Sequence, residues 1–316
     1  MCAYHKSTGS FPSANGRNEI SYTVWEPDEA PRAVLQLSHG MCEYLDRYEE
    51  FLGYLTSRGY IVCGNDHLGH GGSVGNTPGY FGPRQGYAYL PRDLYQLTLL
   101  MKEKYPNLPY FLLGHSMGSF IAREYLYRHG AVLDGAVISG TSGRQPAYPL
   151  GIFVSRLICI CRGKTYRSRL LDRMAFGSYN KRFGGKYGDA FWLTKDLAAI
   201  EAYQNDPLCT FTFTAQAMND LFHLVGRCNR SSRIKGMPKD LPVLFISGDM
   251  DPVGGYGRGV RQVVRRMQKA GMARVQCKLY PDNRHECLNE RNKEEVYKDV
   301  YAFLEACIPH SRNNER

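Results

Sequence analysis

Six short apolar runs constrain this chain more than any other feature. They are "AVLQLSHG" (33–40), "YIVCGND" (60–66), "PYFLLGHS" (109–116), "DGAVISG" (134–140), "LPVLFISGD" (241–249) and "VQCKLYP" (275–281), each stopping at a Gly, Asp, Ser or Pro. Their cores are near-continuous rather than alternating in polarity, the pattern of strands buried on both faces of a parallel sheet. Helical periodicity lies between them, in "RYEEFLGYLTSRG", "LPRDLYQLTLLMKEKYP", "GVRQVVRRMQKAG" and "KEEVYKDVYAFLEAC". Gly59 and Gly271 stand where helix C-caps would fall. Strand and helix in alternation predict an α/β fold, a mostly parallel central sheet flanked by helices. The opening "SFPSANGRNEISYTVWEP" places Asn-Gly between strand-like runs and predicts an antiparallel hairpin at the sheet edge.

The alternation stops after Gly140 and resumes at Leu241. The residues between lack buried-strand signals and are rich in Arg, Tyr and Phe, while "LTKDLAAIEAYQ" and "TAQAMNDLFHLVGR" have helical spacing. A helical insertion after the sixth strand follows, dividing the chain into a core (1–144), a mainly helical cap (145–236) and a second core part (237–316). An insertion there overlies the carboxyl ends of the strands, where open α/β sheets bind ligands.

The net charge of +10 is concentrated in this insertion, which holds 14 Lys/Arg against 6 Asp/Glu. A basic cap is either a solvated surface or a face attracted to anionic lipid. No nucleic-acid motif accompanies the charge, so a nucleic-acid partner is not expected. The apolar run "PLGIFVSRLICIC" is interrupted by Arg156 and is shorter than the roughly 20 residues of a membrane span. The start "MCAYHKSTGSF" has no apolar signal region, which points to the cytoplasm. Ten scattered cysteines without a C-x-x-C pair read as reduced and not as a disulfide or zinc framework. The tail "HSRNNER" reads as disordered.

G-x-S-x-G occurs twice, at Gly114–Gly118 and Gly71–Gly75. Ser116 follows a strand and precedes the helical "SFIAREYLYRHG", the setting a nucleophile elbow requires. There Gly114 and Gly118 spare the strand and helix a Cβ clash, and the Met117 N–H at a helix N-terminus faces a developing oxyanion. Ser73 lies in "HLGHGGSVGNTPGYFG", which has loop composition. A serine nucleophile needs a histidine base and an orienting carboxylate. Among the later histidines, His129 ends the helix after Ser116, His223 lies in the insertion and His310 in the tail. Only His285 follows a sheet strand. The acid belongs after "VLFISG", where Asp249 and Asp251 both stand; Asp282 is a third candidate. The alternative role for each is that of a loop aspartate capping local N–H groups.

Together "LSHGMCEYLDRY", "NDHLGHGGS", "GHSMGS", "SGDMDPVG" and "YPDNRHECLNE" resemble the monoacylglycerol lipase and lysophospholipase-type serine hydrolases of the α/β-hydrolase superfamily, the bacterial lysophospholipase-like branch most of all. The resemblance spans residues 37 to 290. It implies Ser116 as nucleophile, His285 as base and Asp251, three residues beyond Gly248, as acid. Its H-G-x-x-E-x-x-x-R-Y pattern is met by His39, Gly40, Glu43, Arg47 and Tyr48. That implies a second oxyanion donor at the Met41 N–H, with methionine where the family usually has alanine. The implied reaction is ester hydrolysis through an acyl-enzyme, without metal or organic cofactor, on a lipid ester held under the cap. "AYPLGIFVSRLICI", "FTFTA" and "LFHLVG" offer apolar surface to an acyl chain or simply pack the cap on the core. Arg156, Arg162 and Lys164 offer charge to anionic head groups.

Three rival readings have sequence signatures. An aminopeptidase of the same architecture needs acidic groups for the substrate ammonium, and a basic cap opposes that. A binding module that lost catalysis is opposed by the intact Ser, Asp and His set. A metal site at His67-x-x-His70 is opposed by Gly69 and Gly71, which suggest a structural turn. Cys42 and Cys287 flank the implied catalytic segments, as packing groups or as targets of thiol reagents.

Overall fold

The computed structural model describes residues 4–183 and 190–308. The "HSRNNER" tail and His310 lie outside the described residues. Strands β1 (Tyr4–Pro12), β2 (Glu19–Pro27), β3 (Ala33–Ser38), β4 (Tyr60–Asn65), β5 (Tyr110–His115), β6 (Gly135–Ser139), β7 (Val243–Gly248) and β8 (Val275–Tyr280) form one sheet in the order β1-β2-β4-β3-β5-β6-β7-β8. All six apolar runs are strands, and β3 to β8 pair in parallel. The opening hairpin is antiparallel, with β1 at the edge and β2 antiparallel to β4. Its turn places Gly16 at φ +68°, the conformation that glycine supplies without strain.

Helices α1 (Glu49–Thr56), α2 (Gly86–Lys104) and α3 (Met117–His129) lie within the first half of the sheet. Alternate residues of each central strand feed two cores. On one face Tyr110 and Leu112 of β5 meet Leu94 and Leu97 of α2 and Ile121 and Tyr125 of α3. On the other Phe111 and Leu113 meet Phe51 and Leu55 of α1.

Between β6 and β7 come α4 (Tyr148–Arg162), α5 (Arg169–Phe176), α6 (Leu197–Asn205), α7 (Ala215–Cys228) and α8 (Ser231–Lys235), with no strand among the described residues. After β7, α9 (Arg258–Lys269) adds Val260 and Met267 to the first core and α10 (Lys293–Cys307) adds Val300 and Leu304 to the second. Helix α7 packs against α4 on one side and α2 and α3 on the other.

Helix α4 is turned opposite to the usual amphipathic arrangement. Its buried residues are Gly151 and Ser155, one turn apart. Phe222 of α7 lies against Gly151, and the Asn219 Nδ2 donates to Ser155 Oγ at 2.9 Å and Ile152 O at 3.1 Å. Small residues give the close approach; Ile152, Val154 and Ile158 pack partly against the core beside them, while four large side chains stay exposed. Leu150, Phe153, Leu157 and Ile160 are 57%, 59%, 44% and 71% exposed.

Candidate active site

Ser116 is the one residue between Pro109 and Leu126 that is not fully buried. It sits at the β5–α3 junction with φ 52° and ψ −118°, a conformation an L-residue keeps only when its surroundings impose it. The constraint is steric. A Cβ on Gly114 would lie 2.4 Å from Gly118 O, and one on Gly118 would lie 1.9 Å from Ser38 O. Only glycines let β5, α3 and β3 meet this closely. Ser119 Oγ donates to Ser116 O at 2.6 Å, and Ser116 N donates to Ser139 O at 3.0 Å, fixing the turn from both sides.

His285 reaches the site on the loop after β8. Its backbone passes so near the end of β7 that a Cβ on Gly248 would lie 1.9 Å from Asn283 O. The ring stands between His115 and Trp192, at centroid distances of 4.8 Å and 4.9 Å. His285 Nδ1 is 3.1 Å from Asp251 Oδ1, close but short of an aligned hydrogen bond. Nε2 is buried without a protein partner. Burial pushes the imidazole pKa down, but the Asp251 carboxylate, with Glu286 and Glu43 beyond it, more than offsets this and holds it above the ordinary histidine value.

The two neighbouring aspartates are separated by burial. Asp251 is fully buried, and its carboxylate accepts from Val253 N at 2.8 Å and Ser247 Oγ at 3.2 Å. Asp249 instead accepts from Asp282 N at 2.8 Å, the local capping role open to any loop aspartate. The Asp282 side chain is exposed. Ser73 is buried outside the site, its Oγ accepting from Ser21 N at 2.9 Å. His129 stacks on Tyr95 at 3.6 Å, and His223 packs on Tyr87 at 5.0 Å.

The loop after β3 brings Met41 beside the serine: a Cβ on Gly40 would lie 3.1 Å from Ser116 Cβ. Met117 is the first residue of α3, where a helix leaves its N–H groups unpaired. A buried network fixes the Met41 loop. Glu43 accepts from Gly40 N, from Tyr48 Oη at 2.6 Å and from Arg47 Nη1 at 2.6 Å. Arg47 also donates to both carboxylate oxygens of Glu286, at 3.1 Å and 2.9 Å. Burial pushes Glu286 up, but Arg47 outweighs it and holds the carboxyl well below its usual range. The loops carrying Met41 and His285 are thus joined by one guanidinium. The sequence motif contained Glu43, Arg47 and Tyr48, but Glu286 and Trp192 carried no signal of their own.

A cavity of about 410 Å³ opens onto Ser116 and His285. Its apolar wall includes Phe120, Phe176, Trp192, Phe211, Leu221 and Phe222. Residues from all three apolar stretches of the insertion reach it, through Leu150, Phe211 and Val225. Glu43, Asp172 and Glu286 also line it, but among the described residues no Lys or Arg does. Arg156, Arg162 and Lys164 lie outside the lining, the two arginines exposed and Lys164 partly buried. Cys42 lines the cavity and donates to Phe211 O at 3.0 Å, while Cys287 is buried in the second core. His67 and His70 hydrogen-bond locally, to Ser38 Oγ and Leu68 O, both at 3.0 Å. No group of three or more potential metal ligands occurs among the described residues.

A mostly parallel eight-stranded sheet, helices on both faces and a serine at a strained strand–helix elbow define an α/β-hydrolase. More narrowly, the chain belongs to the family described as "Serine aminopeptidase, S33", whose model matches residues 29–292. It is 28% identical over 308 residues to a monoacylglycerol lipase of Mycolicibacterium smegmatis, covering 96% of this chain and 99% of that protein. It is 38% identical over 291 residues to a monoglyceride lipase homolog of Monkeypox virus, covering 90% and 92%. A thermostable carboxyl esterase from Bacillus coagulans, solved with glycerol, superposes with a TM-score of 0.91 at 30% identity, covering 96% and 99% of the two chains.

Proposed function

We propose that this chain is a serine hydrolase that cleaves carboxylic esters of monoacylglycerol or lysophospholipid type through an acyl-enzyme on Ser116. The observation that carries the reading is the junction of a strained, partly exposed Ser116 with the buried Asp251–His285 pair in one apolar cavity. His285 Nε2 takes the Ser116 proton as Oγ attacks the ester carbonyl. Asp251 holds the Nδ1–H tautomer and stabilises the imidazolium. The N–H groups of Met41 and Met117 stabilise the tetrahedral oxyanion. His285 then protonates the leaving alcohol and draws a proton from the water that releases the acid. Residues 145–236 act as the cap whose apolar wall holds the acyl chain.

Among the described residues the cavity wall offers an anionic head group no Lys or Arg, which favours an uncharged leaving group such as glycerol over an anionic one. The same lining keeps an aminopeptidase reading alive, since the basic residues of the cap lie outside the cavity. Against it, Arg47 already occupies both Glu43 and Glu286.

The outward stripe of α4 extends the reading to a membrane partner. Leu150, Phe153, Leu157 and Ile160 form an apolar face flanked by exposed Arg156, Arg162, Arg169 and Arg173. An apolar face rimmed by cations suits an anionic lipid surface. No helix among the described residues is long and apolar enough to cross a membrane, so contact through this face would be peripheral. The wild type is expected to sediment with phosphatidylglycerol vesicles, and Phe153→Asp with Ile160→Asp to stay in solution; equal sedimentation would exclude this face.

Hydrolysis of p-nitrophenyl esters from acetate to palmitate, with Ser116→Ala as control, tests the reaction. Turnover by the wild type alone, rising toward longer chains, is the expected result. Hydrolysis of aminoacyl-p-nitroanilides with none of esters would favour the peptidase. Failure of a fluorophosphonate to label Ser116 would remove the hydrolase reading altogether.

A further inference from the structure

Arg123 is fully buried on α3, two turns beyond Ser116, and among the described residues no carboxylate lies within ion-pair distance of it. A buried guanidinium without a counter-ion is costly unless its donors are satisfied. Here Nε finds no partner, but both Nη groups are satisfied, by the start of the chain excursion between β6 and β7 and by the end of its helix α7. Nη1 donates to Thr141 Oγ1 at 3.2 Å and Ser142 O at 3.0 Å, where the chain leaves the sheet. Nη2 donates to Cys228 O at 3.2 Å and Asn229 Oδ1 at 2.8 Å, where α7 ends. Asn229 Nδ2 completes the junction by donating to Val225 O at 3.0 Å and reaching Gly143 O at 3.4 Å.

The residues so held form part of the cavity wall. Ser142 lines it and shares a 3.0 Å hydrogen bond with Tyr148 Oη at the start of α4; Tyr148 and Val225 line it as well. The planar guanidinium fork presents two arms at a fixed angle, which an ammonium cannot do. One arm holds the stem entering the helical insertion, and the other holds the stem leaving it.

We propose that Arg123 is a positioning residue that locks both stems of the insertion to the nucleophile helix and thereby sets which acyl-chain lengths the cavity accepts. The proposal rests on Ser116 as the reacting serine. It separates two jobs on one helix: the first turn of α3 shapes the reacting centre, and the second fixes the wall above it.

The test uses the full chain and compares rates of Ser116 labelling by a short-chain and a long-chain alkyl fluorophosphonate. Arg123→Lys keeps the charge and removes the fork. It is expected to slow long-chain labelling about tenfold, the order of a lost hydrogen bond to a charged group, while short-chain labelling stays within about threefold. Asn229→Ala and Thr141→Val each weaken one arm and should move the long-to-short ratio the same way by less. They decide the matter alone if Arg123→Lys does not fold. The same split should appear as a raised KM for long esters at nearly constant kcat for short ones. Equal slowing of both probes, or an unchanged ratio in the folded variants, would overturn the proposal. A wild type labelled by neither probe would overturn the hydrolase reading and this one with it.

Discussion

Gly118→Ala tests the reacting centre most directly, because the structure supplies the size of the perturbation. The added Cβ would lie 1.9 Å from Ser38 O and 2.5 Å from His39 O, whereas ordinary contact starts near 3.4 Å. Both obstacles are backbone, so no side chain can swing aside. The start of α3 must part from the end of β3 by about 1.5 Å, the difference between 3.4 and 1.9 Å. Those two segments carry the proposed oxyanion donors, Met117 on one and Met41 on the other. A misplacement near 1 Å costs on the order of 100-fold, and loss of one oxyanion donor about 100- to 1000-fold. We expect kcat/KM for p-nitrophenyl butyrate to fall in that range. Overpacking should also lower unfolding stability by about 1–3 kcal/mol in urea titrations. Gly226→Ala on α7 is the matched control. Its new methyl group would meet nothing within 4 Å. Helix propensity predicts a gain of up to about 1 kcal/mol with activity unchanged. A folded Gly118→Ala enzyme keeping more than about a tenth of wild-type kcat/KM, set against the loss expected here, would refute this account of the elbow.

Asp251→Asn should cost roughly 10⁴-fold in kcat by spoiling the tautomer of His285, whereas Asp249→Asn, on an exposed cap, should stay within a few-fold; parallel kinetics of the two variants decide between them. Because His285 must be neutral to accept the proton and its pKa lies above the ordinary value of about 6.5, kcat/KM should rise with pH through a midpoint above that value. Asp251→Asn removes the group that raises it, so its pH–rate profile should shift to lower pH; a midpoint that stays in place would contradict the assignment. Arg47→Met leaves Glu43 and Glu286 buried and unpaired, which should destabilise the fold by about 3–5 kcal/mol in urea unfolding.

The parallel strands were legible because burial on both faces forces continuous apolar runs, and a run such as "YFLLGH" allows little else. The strand–helix junction at Ser116, which Ser73 lacks, was legible for the same reason, since the strand before it and the helix after it are visible in the chain. Spacing alone left Asp249 and Asp251 open, and only the family resemblance favoured Asp251. Both follow the same strand, and what separates them is that one turns inward beneath His285 while the other caps Asp282. Helix α4 was hidden for a related reason. Its run of large apolar residues looks like core, yet Gly151 and Ser155 are its most buried residues and Leu150, Phe153, Leu157 and Ile160 stay exposed, which only the tertiary contact with Phe222 and Asn219 shows. Glu286 and Trp192 act through partners roughly 240 and 90 residues away in sequence, beyond the reach of any local pattern.

These differences fall along a physical division. The proposed chemistry uses strand ends, where β3, β5, β7 and the loop after β8 converge and where Gly114, Gly118 and Gly248 permit backbone contacts that a single methyl group would forbid. Sequence constrains such points tightly, because the tolerance is a fraction of an ångström. The cavity wall uses helices held by side-chain junctions such as the Arg123 fork, which set position by hydrogen bonds to backbone oxygens and leave the identity of the neighbouring side chains free. A site built this way can keep its reacting centre fixed while the wall varies. Substitutions at the glycines should therefore change the rate for every substrate alike, and substitutions at the junction should change the ranking of substrates.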